Sequence, residues 1–63
     1  MERHIAKQVL SSLFDASRTI NETLLLIQQE CPEKEFVAYR TGAGLAMGHL
    51  YTEMIRPILQ EHP

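Results

Sequence analysis

Ile27-Gln28-Gln29-Glu30-Cys31-Pro32-Glu33-Lys34-Glu35-Phe36 is where this chain changes direction, and its reading decides the fold. Pro32 disfavours helical geometry at Cys31. It suits the first position of a new helix, whose N–H groups have no intrahelical partner anyway. Glu33 and Glu35 follow at once, where the positive end of a helix dipole favours carboxylates. One helix therefore ends near Glu30, the turn occupies about residues 31–33, and a second helix begins near Glu33. So short a connection predicts an antiparallel αα-hairpin. A single long helix kinked at Pro32 is the alternative.

Towards the N-terminus, the stretch from about residue 2 to residue 30 carries an apolar stripe at helical spacing. Ala6, Leu13, Ile20 and Ile27 recur every seventh residue. Val9, Ala16 and Thr23 follow three later, and Leu10, Ser17 and Leu24 four later. His4, Ser11, Asp15, Arg18, Glu22 and Gln29 collect on the opposite side, and Arg18 and Glu22 are placed to pair weakly. About 29 helical residues at 1.5 Å each would reach ~43 Å. One signal competes: Thr19-Ile20-Asn21-Glu22 has the form of a capping box, which would break the helix near Ser17. No Gly or Pro precedes it and the seven-residue phase passes through, so the expectation is an unbroken helix.

Towards the C-terminus, Phe36, Ala43, Met47, Leu50 and Met54 make the central stripe of a helix over about residues 33–56. Pro57 removes a helix hydrogen bond and crowds the preceding turn, so the helix is expected to end or bend there. The remaining tail, residues 57–63, still holds Ile58 and Leu59 and should pack near Ile5 and Val9. The whole chain reads as one all-α domain, a hairpin of two long amphipathic helices.

That hairpin looks incomplete. At 100° per residue, Tyr39 and Ala46 widen the apolar face of the second helix on one side. Val37, Tyr51, Ile55 and Leu59 widen it on the other, giving an arc of roughly 200° where one contact needs about 100°. Phe14 and Leu25 lie outside the main stripe of the first helix. A chain of 63 residues buries only roughly 60% of its unfolded surface and usually needs a staple. A single cysteine, Cys31, forms no intrachain disulfide, and with three histidines at no CxxC or HxxxH spacing it is no zinc framework. Oligomerisation is what remains, and two hairpins make a four-helix bundle. The candidate interface is Val37, Gly44, Gly48, Tyr51, Ile55 and Leu59. Gly44 and Gly48 each cost about 1 kcal/mol against Ala inside a helix, a loss that close approach of a neighbouring backbone would explain. The alternative is that they are tolerated or hinge glycines.

Polar candidates are few. Arg40 falls within the apolar sector, as an anion- or partner-binding guanidinium or as a stem that covers apolar surface while its head reaches the rim. His49 and Glu53 stand four apart and could share a proton or a metal, or be a solvated pair. Known helical di-metal bundles use Glu-x-x-His, an order absent from this sequence. Cys31 would need a lowered pKa to be reactive. No catalytic residues, cofactor or metal site are expected, and the chain is not expected to be an enzyme.

Six Lys and Arg, scattered through a chain of net charge −2, lack the basic stripe of a nucleic-acid binder. The longest aliphatic run, Leu24-Leu25-Leu26-Ile27, is far short of the roughly 20 residues that span a bilayer. No basic region followed by a long apolar segment opens the chain. A cytoplasmic location with a reduced thiol is the expectation.

Glu35-Phe36-Val37-Ala38-Tyr39-Arg40, with Met47-Gly48, Tyr51, Glu53, Ile55-Arg56-Pro57 and Glu61-His62-Pro63, resembles short uncharacterised bacterial helical-hairpin proteins over the second half of the chain. That resemblance implies a hairpin and no activity. In architecture alone the chain is also similar to Rop-type hairpins, which dimerise into antiparallel four-helix bundles. The expected role is a small homo-oligomeric interaction module, an adaptor or regulator whose partner is a second copy or another protein. The other reading is a small-ligand or metal-binding bundle using Arg40, His49 or Glu53.

Overall fold

A computed structural model describes all residues, 1–63. The chain is all-helical. Helix α1 spans Arg3–Glu30 and α2 spans Glu33–His49. A π-helical turn, Leu50–Ile55, joins α2 to a short α3, Arg56–Glu61. The second arm folds back along α1 as an antiparallel hairpin: Thr23 meets Tyr39, Ser17 meets Met47, and Met1 meets Glu61 and His62. The molecule measures 45 × 16 × 12 Å.

Helix α1 is continuous through Ser17. The Thr19 hydroxyl, which a capping box would turn towards a free N–H, instead donates to the Asp15 carbonyl one turn back at 3.0 Å. Thr23 does the same to the Ile20 carbonyl at 2.6 Å. The helix stops where the proline requires it. Cys31 is extended (φ −122°, ψ 157°), as a residue before proline prefers, and its N–H closes the last turn on Ile27 at 2.9 Å. Pro32 stands just ahead of α2 as its N-cap rather than as its first helical residue. Its carbonyl takes the N–H of Glu35 at 3.0 Å and of Phe36 at 3.1 Å.

The second arm departs from expectation at Leu50. Its helical path does not end at Arg56 but runs on to Glu61, through a turn with wider i→i+5 bonding such as Arg56 N–H to Tyr51 O. Two local pressures converge there. An α-helical Pro57 would press its ring on the Glu53 carbonyl, and its missing N–H already leaves one bond unmade. A π-turn also adds one residue to the path, which rotates everything after it by about 100° relative to an unbroken α-helix. The stripe Phe36, Ala43, Met47, Leu50 therefore continues not through Met54, which is 50% exposed, but through Ile55, 3% exposed, and Ile58.

The core is thin. Ala6, Ala43, Ile55 and Ile58 are the four buried residues, with Leu10, Leu13, Ile20, Leu24, Ile27, Met47 and Leu50 half-buried around them. The tail closes over Ala6 and Leu10, which line a shallow depression with His62 and Pro63, while Ile5 stays 43% exposed. A compact protein of this mass would show about 4,100 Å² of surface and a radius of gyration of about 11 Å. This chain shows 4838 Å² and 14.3 Å.

Candidate interaction surface

Two faces flank the seam between the arms, and one observed contact marks each. On the first, the Tyr39 face, the Tyr39 hydroxyl lies 2.6 Å from Thr23 Oγ1. Thr23 has spent its only proton on the Ile20 carbonyl, so Tyr39 is the donor. Ile20, Ala38, Tyr39, Gly42, Ala43 and Ala46 line an open groove of about 440 Å³ on this side. On the second, the Met47 face, Ser17 Oγ lies 3.9 Å from Met47 Sδ, a weak contact across the seam.

The expected interface residues do not share one environment. Val37, Tyr51 and Leu59 are 42%, 49% and 37% exposed. Ile55 was expected beside them on the outer flank. The rotation at the π-turn instead puts it in the hairpin's own core, where no second chain can reach it. Gly44 and Gly48 lie with Leu45, His49, Thr52 and Glu53 along a shallow depression on the outside of the second arm. A Cβ added to Gly42, Gly44 or Gly48 would meet nothing within 4 Å, so no backbone of this chain approaches any of them. Phe14, Leu25, Leu26, Leu45 and Met54 add further exposed apolar surface, each at least half exposed. Leu45 was legible as such: it stands two residues past buried Ala43, on the far side of its helix.

Arg40 is exposed, and its guanidinium carbon sits 5.5 Å from the centre of the Phe36 ring one turn earlier. Its stem thus lies along the apolar face with the charge over an aromatic π-face, the arrangement expected of a covering side chain. His49, just before the π-turn, and Glu53, within it, are both exposed and form no ion pair with each other. Asp15 pairs with Arg18 at 3.2 Å, and Arg18 reaches Glu22 at 3.9 Å. No three His, Cys, Asp or Glu side chains converge on one point.

Cys31 is half-buried at the turn. Partial burial, then a hydrogen bond and the charge of Glu35, and lastly the charge of Glu30, push its thiol above the ordinary value. That is the opposite of what an activated nucleophile needs. At the open end, the Met1 amine donates to Glu61 Oε1 at 2.7 Å, and His62 Nε2 donates to the Met1 carbonyl at 2.7 Å. The hydrogen bond and charge of the Met1 amine hold the Glu61 carboxyl below its ordinary value. Sequence spacing did not point to this clasp, because its partners are separated by the full length of the chain.

No helix is long and apolar enough to cross a membrane. No family model, no curated protein sequence and no solved structure matches this chain.

Proposed function

We propose that this hairpin is a self-associating interaction module, an adaptor or regulator whose core is completed when two copies form a four-helix bundle. One observation carries the reading. Only four residues are buried, whereas eleven large apolar side chains are more than one-third exposed along both arms. Apolar surface removed from water is worth about 25 cal/mol per Å², and a second hairpin is the simplest body of matching length to remove it. Other proteins with an amphipathic helix of similar length would find the same surface, which suits an adaptor.

Sedimentation equilibrium and thermal melts over a hundredfold range of concentration test this. The expected result is a mass of two chains and a midpoint that rises with concentration, because association stabilises the assembled form. A monomer with a concentration-independent midpoint would refute it.

A further inference from the structure

We infer that the second copy docks on the Met47 face, antiparallel to the first, and that the π-turn is what makes this face continuous. The inference rests on the self-association proposed above and adds which surface carries it. Val37, Gly44 and Tyr51 stand seven residues apart, so they hold one position beside the seam. In an unbroken α-helix the next residue in line would be Ile58. The π-turn inserts one residue, which sends Ile58 into the seam, 9% exposed, and brings Leu59 into line behind Tyr51. Phe14, 51% exposed, occupies the matching flank of α1. Half-buried Leu10, Leu24 and Met47 form the floor between the two flanks.

The Tyr39 face offers less on the second arm. By the same spacing its α1 flank holds Ile5, Ser12, Thr19 and Leu26, of which Ile5 and Leu26 are exposed, but its second-arm flank holds only Gly42 and Ala46, and its one phenol is already bonded to Thr23.

Area and charge both point to a second copy as the occupant. The chain shows about 700 Å² more surface than a compact monomer of its mass, close to the ~800 Å² each partner loses in a stable interface. Charges on the Met47 face keep mainly to its ends. Arg3 and Lys7 line the depression at the open end, and Glu33 stands at the turn, fourteen residues and so two full repeats before Met47. Arg40, the one charge nearer the middle, is turned over its own Phe36. An antiparallel two-fold axis lays the Arg3 and Lys7 end of one copy over the Glu33 end of the other, at both ends alike.

The test uses the full chain and sedimentation equilibrium, with circular dichroism to confirm helix. Phe14→Lys and Tyr51→Lys place a charge on the Met47 face, and Leu26→Lys places one on the Tyr39 flank. Tyr51→Ala serves as a second, milder variant. If the inference holds, both Met47-face lysines weaken dimerisation at least tenfold, Tyr51→Ala weakens it less, and Leu26→Lys leaves it within about twofold. If Leu26→Lys dissociates the dimer while Tyr51→Lys does not, the contact lies on the other face; self-association then stands and this inference falls. Equal weakening by all three lysines also overturns it, and a monomeric parent overturns both proposals.

Discussion

Helix α1 and the second arm meet along the same seam but keep different time. On α1 the seam residues alternate in steps of four and three without interruption: Ala6, Leu10, Leu13, Ser17, Ile20, Leu24 and Ile27, all buried or half-buried. On the second arm Ala43, Met47 and Leu50 follow that rule. A step of five then leads to Ile55, and steps of three and four to Ile58 and His62. An α-helix whose stripe keeps a strict seven-residue repeat can stay against a neighbour with only slight supercoiling. A stripe with one residue too many cannot. The backbone absorbs the surplus in a π-turn, directly before a proline that already weakens α-helical geometry. Where apolar burial and ideal helix geometry disagree by one residue, burial wins.

The most severe way to break this comparison is to change the count in each arm. Asn21 and Thr52 are both exposed, so neither deletion removes a core side chain. Deleting Asn21 rotates one half of α1 against the other by about 100° and takes Thr23, Leu24 and Ile27 out of phase with Ala6 and Leu13. The expected outcome is loss of the cooperative thermal transition. Deleting Thr52 removes the surplus residue and leaves Ile55 and Ile58 in phase with Leu50 on an ordinary α-helix. Paired with Pro57→Ala, which removes the ring clash worth about 3 kcal/mol, it should keep the transition and the helical signal. Equal damage from both deletions would mean that the π-turn does not serve the register.

A smaller effect sharpens the same point at adjacent positions. Ile55→Ala empties a buried site and should cost roughly 2–5 kcal/mol in chemical denaturation. Met54→Ala, at a half-exposed site, should cost roughly 0.5 kcal/mol or less. An unbroken α-helical register reverses that order, since it carries the stripe through Met54.

This is also where the sequence was readable and where it was not. Both helices, the turn at Cys31-Pro32 and the hairpin follow from spacing and from proline, because each depends on residues near in sequence. The phase after Leu50 did not follow. A stripe carried on at α-helical spacing selects Met54 and places Ile55 on the flank, and nothing local forbids it. The departure becomes visible only when Ile55 and Ile58 are weighed against Met54 and Pro57 as one set: two β-branched apolar residues three apart fit the seam better than a methionine and a proline. The glycines were opaque for a related reason. Gly44 and Gly48 share a helical face, but which way that face points is a tertiary fact, and no atom of α1 meets it.

Gly48→Ala is worth about 1 kcal/mol, and its sign separates α1-facing from outward-facing positions. With open space around its Cβ, the alanine should raise the thermal midpoint through helix propensity alone. In the dimer inferred here Gly48 stays on the outside, so the gain should persist at every concentration. A loss that grows with concentration would instead place another backbone against Gly48, where overpacking costs about 1–3 kcal/mol.

The smallest effect belongs to the ends of the arms, where the comparison closes: α1 begins and the second arm finishes at one clasp. The Met1 amine holds the Glu61 carboxyl below its ordinary value, near 4.5, in the folded chain. A carboxyl whose folded pKa is lowered contributes stability above its unfolded pKa, and that contribution fades as pH falls through the folded value. Both groups are exposed at side-chain fractions of 35% and 51%, so solvent and salt screen the pair. The measurement is the difference in thermal midpoint between parent and Glu61→Gln as a function of pH at low ionic strength. It should be small and positive near neutrality, shrink once pH drops below about 4.5, and vanish in stronger acid, where the parent's Glu61 is also neutral. Acetylating the Met1 amine removes the larger of the two influences and should shrink the same pH-dependent difference, leaving only the smaller part that His62 contributes through its contact with Glu61 Oε1 at 3.0 Å. A difference that survives acid and is undiminished by acetylation would show that Glu61 acts through α3 alone, and that the two arms are not tied at their ends.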